Sequence, residues 1–294
     1  MKQLVVLSGK GGTGKTTVSA SLAHLAAAED KIVMVDADVD APNLELLLQP
    51  DLPAGEAFYA GKLARIDQDL CIQCGQCKEV CRYEAVLEQD GEYSIDSVSC
   101  EGCAACLYVC PSEAISMDDT LSGYWYRSQT RFGELFHARL SAGAENSGKM
   151  VSTLRQEALS AAQEQESDWI IIDGAPGIGC PVIAAVTGVS YALVVSEPTV
   201  SGAHDLERAL QICGHFRVPA AVCINKADIN PQTTADIAAH CEVLGVPVLA
   251  EIPYDEVVIE AMEQGLAVTE LGDNAVSTEL RALWQALRTA LADA

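Results

Sequence analysis

Gly9-Lys10-Gly11-Gly12-Thr13-Gly14-Lys15-Thr16-Thr17 follows directly on the apolar run Leu4-Val5-Val6-Leu7 and leads into an Ala- and Leu-rich stretch of helical character. Strand, glycine loop and helix in that order make a phosphate cradle. Backbone N–H groups of the loop face phosphate oxygens, and the helix N-terminus adds its dipole. Glycine is required because a Cβ would block the turn and the close approach. The spacing gives Lys15 reach to the β- and γ-phosphates and offers the Thr16 hydroxyl to an octahedral Mg2+ shell. An incidental glycine-rich turn is the competing reading, and the flanking strand and helix speak against it.

At 294 residues the chain can form one large α/β domain or a domain carrying an insert. No apolar run reaches the length of a membrane span, and the N-terminus enters a strand rather than a signal peptide. A cytoplasmic protein without a membrane partner is therefore expected. The net charge of -24 argues against nucleic acid as a main partner, because phosphate binding needs lysine and arginine in excess. Twelve cysteines in such a chain point to metal rather than disulfides.

Downstream, apolar runs end repeatedly in polar clusters. Ile32-Val33-Met34-Val35 leads to Asp36, Asp38 and Asp40; Trp169-Ile170-Ile171-Ile172 leads to Asp173-Gly174-Ala175-Pro176-Gly177. The carboxyl ends of parallel strands are where open α/β sheets bind ligands. Tyr191–Val195 leads to Glu197-Pro198-Thr199, and Ala220–Ile224 to Asn225-Lys226-Ala227-Asp228. The last strand, 246–250, precedes Ile252-Pro253-Tyr254-Asp255, which would flank a base. Strand and helix alternation predicts an α/β fold with a mainly parallel, doubly wound sheet. Leu280, Leu283, Trp284, Leu287 and Leu291 share one face of a packed terminal helix.

Between residues 63 and 118 the composition changes. Cys71-x2-Cys74-x2-Cys77-x3-Cys81 is answered by Cys100-x2-Cys103-x2-Cys106-x3-Cys110-Pro111, and Arg82-Tyr83-Glu84-Ala85-Val86 parallels Pro111-Ser112-Glu113-Ala114-Ile115. Zinc sites use separated cysteine pairs, whereas three cysteines at x2 spacing plus a fourth suit an iron–sulfur cluster. Eleven acidic residues against three basic ones make this segment strongly acidic, and an electropositive partner would suit it. After it, Arg127, Arg131, Arg139, Lys149 and Arg155 stand against Glu134 and Glu145. That stretch is either a surface for a partner or the acidic segment, or a solvated return with Trp125 packed on the core.

The loop with Lys10 resembles the deviant Walker A motif of the MinD/ParA/nitrogenase-iron-protein group of P-loop ATPases. The resemblance covers residues 1–62 and 119–294. It implies ATP and Mg2+ as ligands, and a homodimer in which Lys10 reaches the partner's nucleotide. It also implies Asp38 as the group that positions attacking water, Asp173 as the Mg2+-holding acid with Thr16, and Asn225 as the adenine reader. Asp36 and Asp40 lie near enough to leave the choice of acid open. Asn225 and Asp228 also fit the N-K-x-D pattern of guanine readers, so GTP stays open too.

Residues 63–118 resemble a bacterial two-cluster ferredoxin of small α+β fold. The resemblance implies one [4Fe–4S] cluster on Cys71, Cys74, Cys77 and Cys110, and its twin on Cys100, Cys103, Cys106 and Cys81. Arg82 stands where the ferredoxin pattern has proline. Together the two resemblances imply an ATPase switch coupled to electron transfer to a redox partner protein. An iron–sulfur assembly or carrier ATPase, or a redox-sensing positioning ATPase, are the alternatives. No CxxC pair occurs outside the inserted segment, which disfavours the carrier.

Overall fold

The computed structural model describes residues 1–141 and 146–292; Glu145 lies outside them. The chain opens with β1 (Lys2–Ser8), α1 (Lys15–Ala27), β2 (Ile32–Asp36) and α2 (Leu44–Leu48). Next come β3 (Glu56–Ile66), α3 (Gln76–Val80), β4 (Val86–Gln89), β5 (Glu92–Ile95) and α4 (Ala105–Val109). Then follow β6 (Ile115–Thr130), β7 (Gly133–Leu140), α5 (Ser147–Glu164), β8 (Trp169–Pro176) and α6 (Cys180–Val186). The remainder is β9 (Tyr191–Ser196), α7 (Val200–His215), β10 (Ala220–Asn225), α8 (Pro231–Val243), β11 (Val248–Ile252), α9 (Val257–Glu263) and α10 (Ala275–Ala290). Two compact units result, the first from Met1–Glu56, Trp125–Arg139 and Ser147–Ala294, the second from Ala57–Tyr124 and Leu140–Asn146.

The first unit is an α/β fold around a largely parallel sheet. Its strands run β11-β10-β9-β1-β8-β2-β7, followed by the last part of β6. Every pairing among the first seven is parallel. Leu4, Val6, Met34, Ile171 and Leu193 turn to one face, where α1 and α10 cover them with Leu22, Leu280, Leu283 and Trp284. Val5, Leu7, Val33, Val35 and Ile172 are buried as well. The helices α5, α6 and α7 pack on β2, β8 and β9. Burial of both faces is why these strands read as unbroken apolar runs.

Strands β3, β5 and β7 were not visible in the sequence pattern. β7 carries Glu134 and His137, which break an apolar run, yet both are buried. Each is matched by partners. Glu134 accepts from Arg127 Nε at 3.0 Å, from Gln129 and from Gln165. His137 Nε2 lies 3.0 Å from Ser128 Oγ, while Nδ1 faces Glu45 Oε2 at 3.2 Å. Burial holds the imidazole below its ordinary pKa, against the opposing pull of Glu45. β3 alternates buried and exposed residues and carries Gly61, Lys62 and Arg65, a pattern too polar to stand out.

In the basic stretch Arg131 and Arg155 staple the fold, whereas Arg127 and Arg139 make their pairs from largely exposed positions and Lys149 is exposed. Arg139 pairs with Glu45, and Arg155 donates to the carbonyls of Ala184 and Thr187 and to Gln3. Arg131 pairs with Glu270 and donates to the carbonyls of Leu47, Leu48 and Gly265. Lys149 lies in the first turn of α5.

The second unit is a doubled motif. β3 pairs with the first part of β6, and β4 and β5 form an antiparallel hairpin. Gly75 and Ala104 precede α3 and α4 in left-handed conformation. Cys81 and Cys110 close those helices with φ and ψ of -73° and 107° and of -73° and 109°. Asp67 N donates to Ala114 O, and Asp96 N donates to Ala85 O, both at 2.8 Å. The start of each half is thus tied to the end of the other. The core is small: Ala64, Cys77, Val86, Tyr93 and Ile115.

Arg131→Ala frees the C-terminal carbonyls of α2 and the Glu270 carboxylate at once. The expected cost is about 2 kcal/mol, read as a lower urea midpoint for the first unit.

Candidate functional site

The phosphate loop leaves β1 and enters α1 through Gly14, whose φ is 90°. A Cβ there would stand 2.2 Å from Asn225 Nδ2, so glycine is needed on steric and conformational grounds. Asn225 donates from Nδ2 to Thr13 O at 2.8 Å, and Lys226 Nζ donates to Gly12 O at 3.0 Å. The loop is held from the end of β10.

Asp173 is the hub beneath the loop. It is 1% exposed, and its carboxylate accepts three side-chain hydrogen bonds, each of 2.8 Å, from Lys15 Nζ, Thr16 Oγ1 and Ser19 Oγ. Burial pulls the Lys15 ammonium down. Asp173, followed by Asp36 and Asp38, nevertheless holds it above its ordinary value. Asp36 stands directly beside Asp173 in the sheet register. Burial and that neighbouring carboxylate push Asp36 up to about 8, while Lys15 and the N–H groups of Leu44 and Asp38 oppose them. Asp38 is raised too, chiefly by burial, and Lys15 opposes the shift.

A cleft of about 640 Å³ opens above this cluster. Gly11, Gly12, Thr13, Gly14, Lys15, Thr16 and Thr17 line it with Asp38, Asn225 and Pro253. Leu46, Val258, Met262 and Leu280 make one part of its wall apolar, which suits a planar ring. Three expected residues stand elsewhere. Gly9 packs against α7, where a Cβ would meet Asp205 O at 2.3 Å. Lys10 turns to Glu197 Oε1 at 2.5 Å, Ser201 Oγ at 3.1 Å and Thr199 Oγ1 at 3.3 Å. Asp228 Oδ1 accepts from Tyr254 N at 2.7 Å. Ser19 was missed in the sequence, and Glu197 was noted only as a strand-end residue without a role. Ser19 sits one helical turn after Lys15, a spacing that could have flagged it. Glu197 bridges Lys10 and Lys226 and is held below its ordinary pKa by those two hydrogen bonds, against the effect of burial.

In the second unit the eight cysteines gather in two sets. Cys71, Cys74, Cys77 and Cys110 line one small cavity; Cys81, Cys100, Cys103 and Cys106 line another. The eight are free thiols. Among the described residues no three His, Cys, Asp or Glu side chains converge tightly enough for a single metal ion. Thiols spread around a void suit a group larger than one ion. Cys213, Cys223 and Cys241 are buried, with Cys213 pushed up to about 11 and Cys223 to about 12 by burial, and so are inert. Cys180 begins α6 and is exposed.

The family described as CobQ/CobB/MinD/ParA nucleotide binding domain matches residues 4–268. The chain belongs to that family. An uncharacterized protein of Methanocaldococcus jannaschii is 38% identical over 229 residues, covering 78% of this chain and 79% of that one. The septum site-determining protein MinD of Bacillus subtilis is 26% identical over 271 residues, covering 89% and 80%. Among solved structures, MinD of Pyrococcus horikoshii complexed with Mg-ADP has a TM-score of 0.60 at 17% identity, covering 97% and 95%. The likeness to that structure is one of fold. Nucleotide binding is thus the family's shared property, and no described helix is long and apolar enough to cross a membrane.

The raised Asp36 pKa has a definite sign. Folded Asp36 keeps its proton up to about pH 8, whereas the unfolded group loses it near 3.8. Its contribution to stability is therefore full below the lower value and falls as pH rises toward the upper one. Urea midpoints of the wild type should decline between pH 5 and 8. Asp36→Asn should flatten that decline; an unchanged slope would assign it to another group.

Proposed function

We propose that this chain binds and hydrolyses ATP with Mg2+, and that its second unit contains an inserted ferredoxin-like domain holding two [4Fe–4S] clusters. The inserted domain is taken as residues 63–118, within an ATPase domain of 1–62 and 119–294. One observation carries the reading. A chain of the nucleotide-binding family gathers eight thiols around two cavities, in the crossed sets that a two-cluster ferredoxin would use.

Each residue has a task on this reading. The loop N–H groups and Lys15 take the phosphates, and the Thr16 hydroxyl with the Asp173 carboxylate hold Mg2+. The Pyrococcus horikoshii relative, complexed with Mg-ADP, supports that assignment by fold. Asp38 at the cleft wall positions water and, with its raised pKa, can accept a proton. Asn225 and Pro253 flank the base, and the occupation of Asp228 by Tyr254 N favours adenine over guanine. Lys10 leaves Glu197 to meet the nucleotide of a second copy, so the working form is a homodimer.

Bound clusters supply one-electron transfer. The two cysteine sets hold them near the surface, with Cys74 and Cys103 exposed. The surrounding acidic residues suit an electropositive redox partner. Nucleotide-dependent closure then regulates electron delivery, which unites the two halves of the sequence in one function.

The test is anaerobic reconstitution with iron and sulfide, followed by EPR of the reduced protein with and without MgATP and by hydrolysis on the same samples. Lys15→Ala should abolish nucleotide binding and any nucleotide effect on the EPR signal. Asp38→Ala should keep binding and lower hydrolysis by about 100-fold or more. A chain that retains no iron removes the cluster assignment. Clusters indifferent to nucleotide remove the coupling and leave a regulatory ATPase.

A further inference from the structure

The two cysteine sets repeat each other closely in backbone. Glu84 and Glu113 occupy the same left-handed position with φ of 54° and 53°, and Gln73 and Gly102 likewise with 57° and 61°. Cys71 N donates to Asp67 O at 3.0 Å, and Cys100 N to Asp96 O at 3.1 Å. Against that sameness, several wall positions differ in chemistry, Tyr93 against Ala64 among them. Ser112 lines the cavity closed by Cys110, and Tyr83 takes its place in the cavity closed by Cys81. Ile72 lines the first cavity where Glu101 lines the second.

The consequence falls on the sulfurs. Cys110 Sγ accepts from Ala114 N at 3.3 Å and lies 3.7 Å from Ser112 Oγ. Among the described residues no hydrogen bond of this kind reaches Cys81 Sγ. A donor aimed at a thiolate stabilises the more negative, reduced form of the group it binds and raises the reduction potential. Glu101, an exposed residue, lines the wall of the other set, and a carboxylate on that wall acts in the opposite sense, because it repels the added electron. Both differences therefore push the same way.

We infer that the Cys71/Cys74/Cys77/Cys110 set is the higher-potential seat and the Cys100/Cys103/Cys106/Cys81 set the lower, with Ser112 and Glu101 as the residues that part them. This rests on the reading that both sets hold [4Fe–4S] clusters. With both sets loaded, an electron delivered by a low-potential one-electron donor would settle on the set closed by Cys110. That transfer is internal: one set is oxidised, the other reduced, and no proton or further reactant is needed. The lower-potential set is then the point of entry for a strong reductant, and the higher one the reservoir from which the acceptor draws.

The experiment is a redox titration of the anaerobically reconstituted full chain, followed by EPR with dithionite and mediators, with iron and sulfide measured on each sample. The wild type should show two separate potentials. Ser112→Ala should lower only the higher one, so that the oxidised-to-reduced ratio at a fixed ambient potential rises severalfold; tenfold corresponds to about 59 mV for one electron. Glu101→Gln should raise only the lower one, and it keeps the test alive if Ser112→Ala fails to load. Two coincident wild-type potentials would overturn the inference, as would variants that shift the wrong set or neither. Absence of iron in the wild type would instead overturn the cluster assignment itself, so the two failures are distinguishable.

Discussion

The Asp173 carboxylate is the constraint on which the nucleotide site depends. It is placed by β8, next to β1 and β2 in the centre of the sheet, and it gathers Lys15, Thr16 and Ser19 from the first turns of α1. A buried carboxylate is tolerable only when its lone pairs are met and its charge is balanced. The arrangement does both, and in doing so fixes the helix that carries the loop. Asp36, one strand away, gains no cation of its own and relies on backbone N–H groups of Asp38 and Leu44. The start of α2 is thereby tied to the Asp36 carboxyl beside Asp173, so a shift of the segment holding Asp38 disturbs those hydrogen bonds.

The second unit achieves order by different means. Its apolar core is too small to specify a fold strongly. Order comes from left-handed turns at matched positions, from Asp67 and Asp96 capping the cysteine loops, and from the exchanged backbone bonds to Ala114 and Ala85. That exchange is what carries the last cysteine of each half toward the first three of the other. The crossed pairing is a property of the backbone, and the side chains inherit it.

Much of this was legible from sequence, for identifiable reasons. Buried parallel strands are apolar without interruption, so β1, β2, β8, β9, β10 and β11 stood out, and the phosphate loop was marked by glycines with a steric need. β7 did not stand out, because Glu134 and His137 are made acceptable inside only by partners remote in sequence, among them Gln165 and Glu45. The arginines misled for the same reason. Arg131 and Arg155 look like surface charge until the carbonyls they cap are seen. Ion pairs and caps are tertiary facts, and periodicity cannot report them.

That use of arginine also shapes the protein's field. Arg127, Arg131, Arg139 and Arg155 are engaged by carboxylates and carbonyls of the first unit, and the net charge of the whole chain is -24. In the second unit the pairs Lys62–Asp119, Arg65–Asp118 and Lys78–Glu88 are solvent-exposed and neutralise little over any distance. An anionic nucleotide approaching such a surface is repelled until it meets a local concentration of positive charge. Lys10, Lys15 and Lys226 all lie within or against the phosphate loop, and the loop N–H groups and the α1 dipole add to them. Positive charge gathered at that loop suits a small polyanion that fits the cradle.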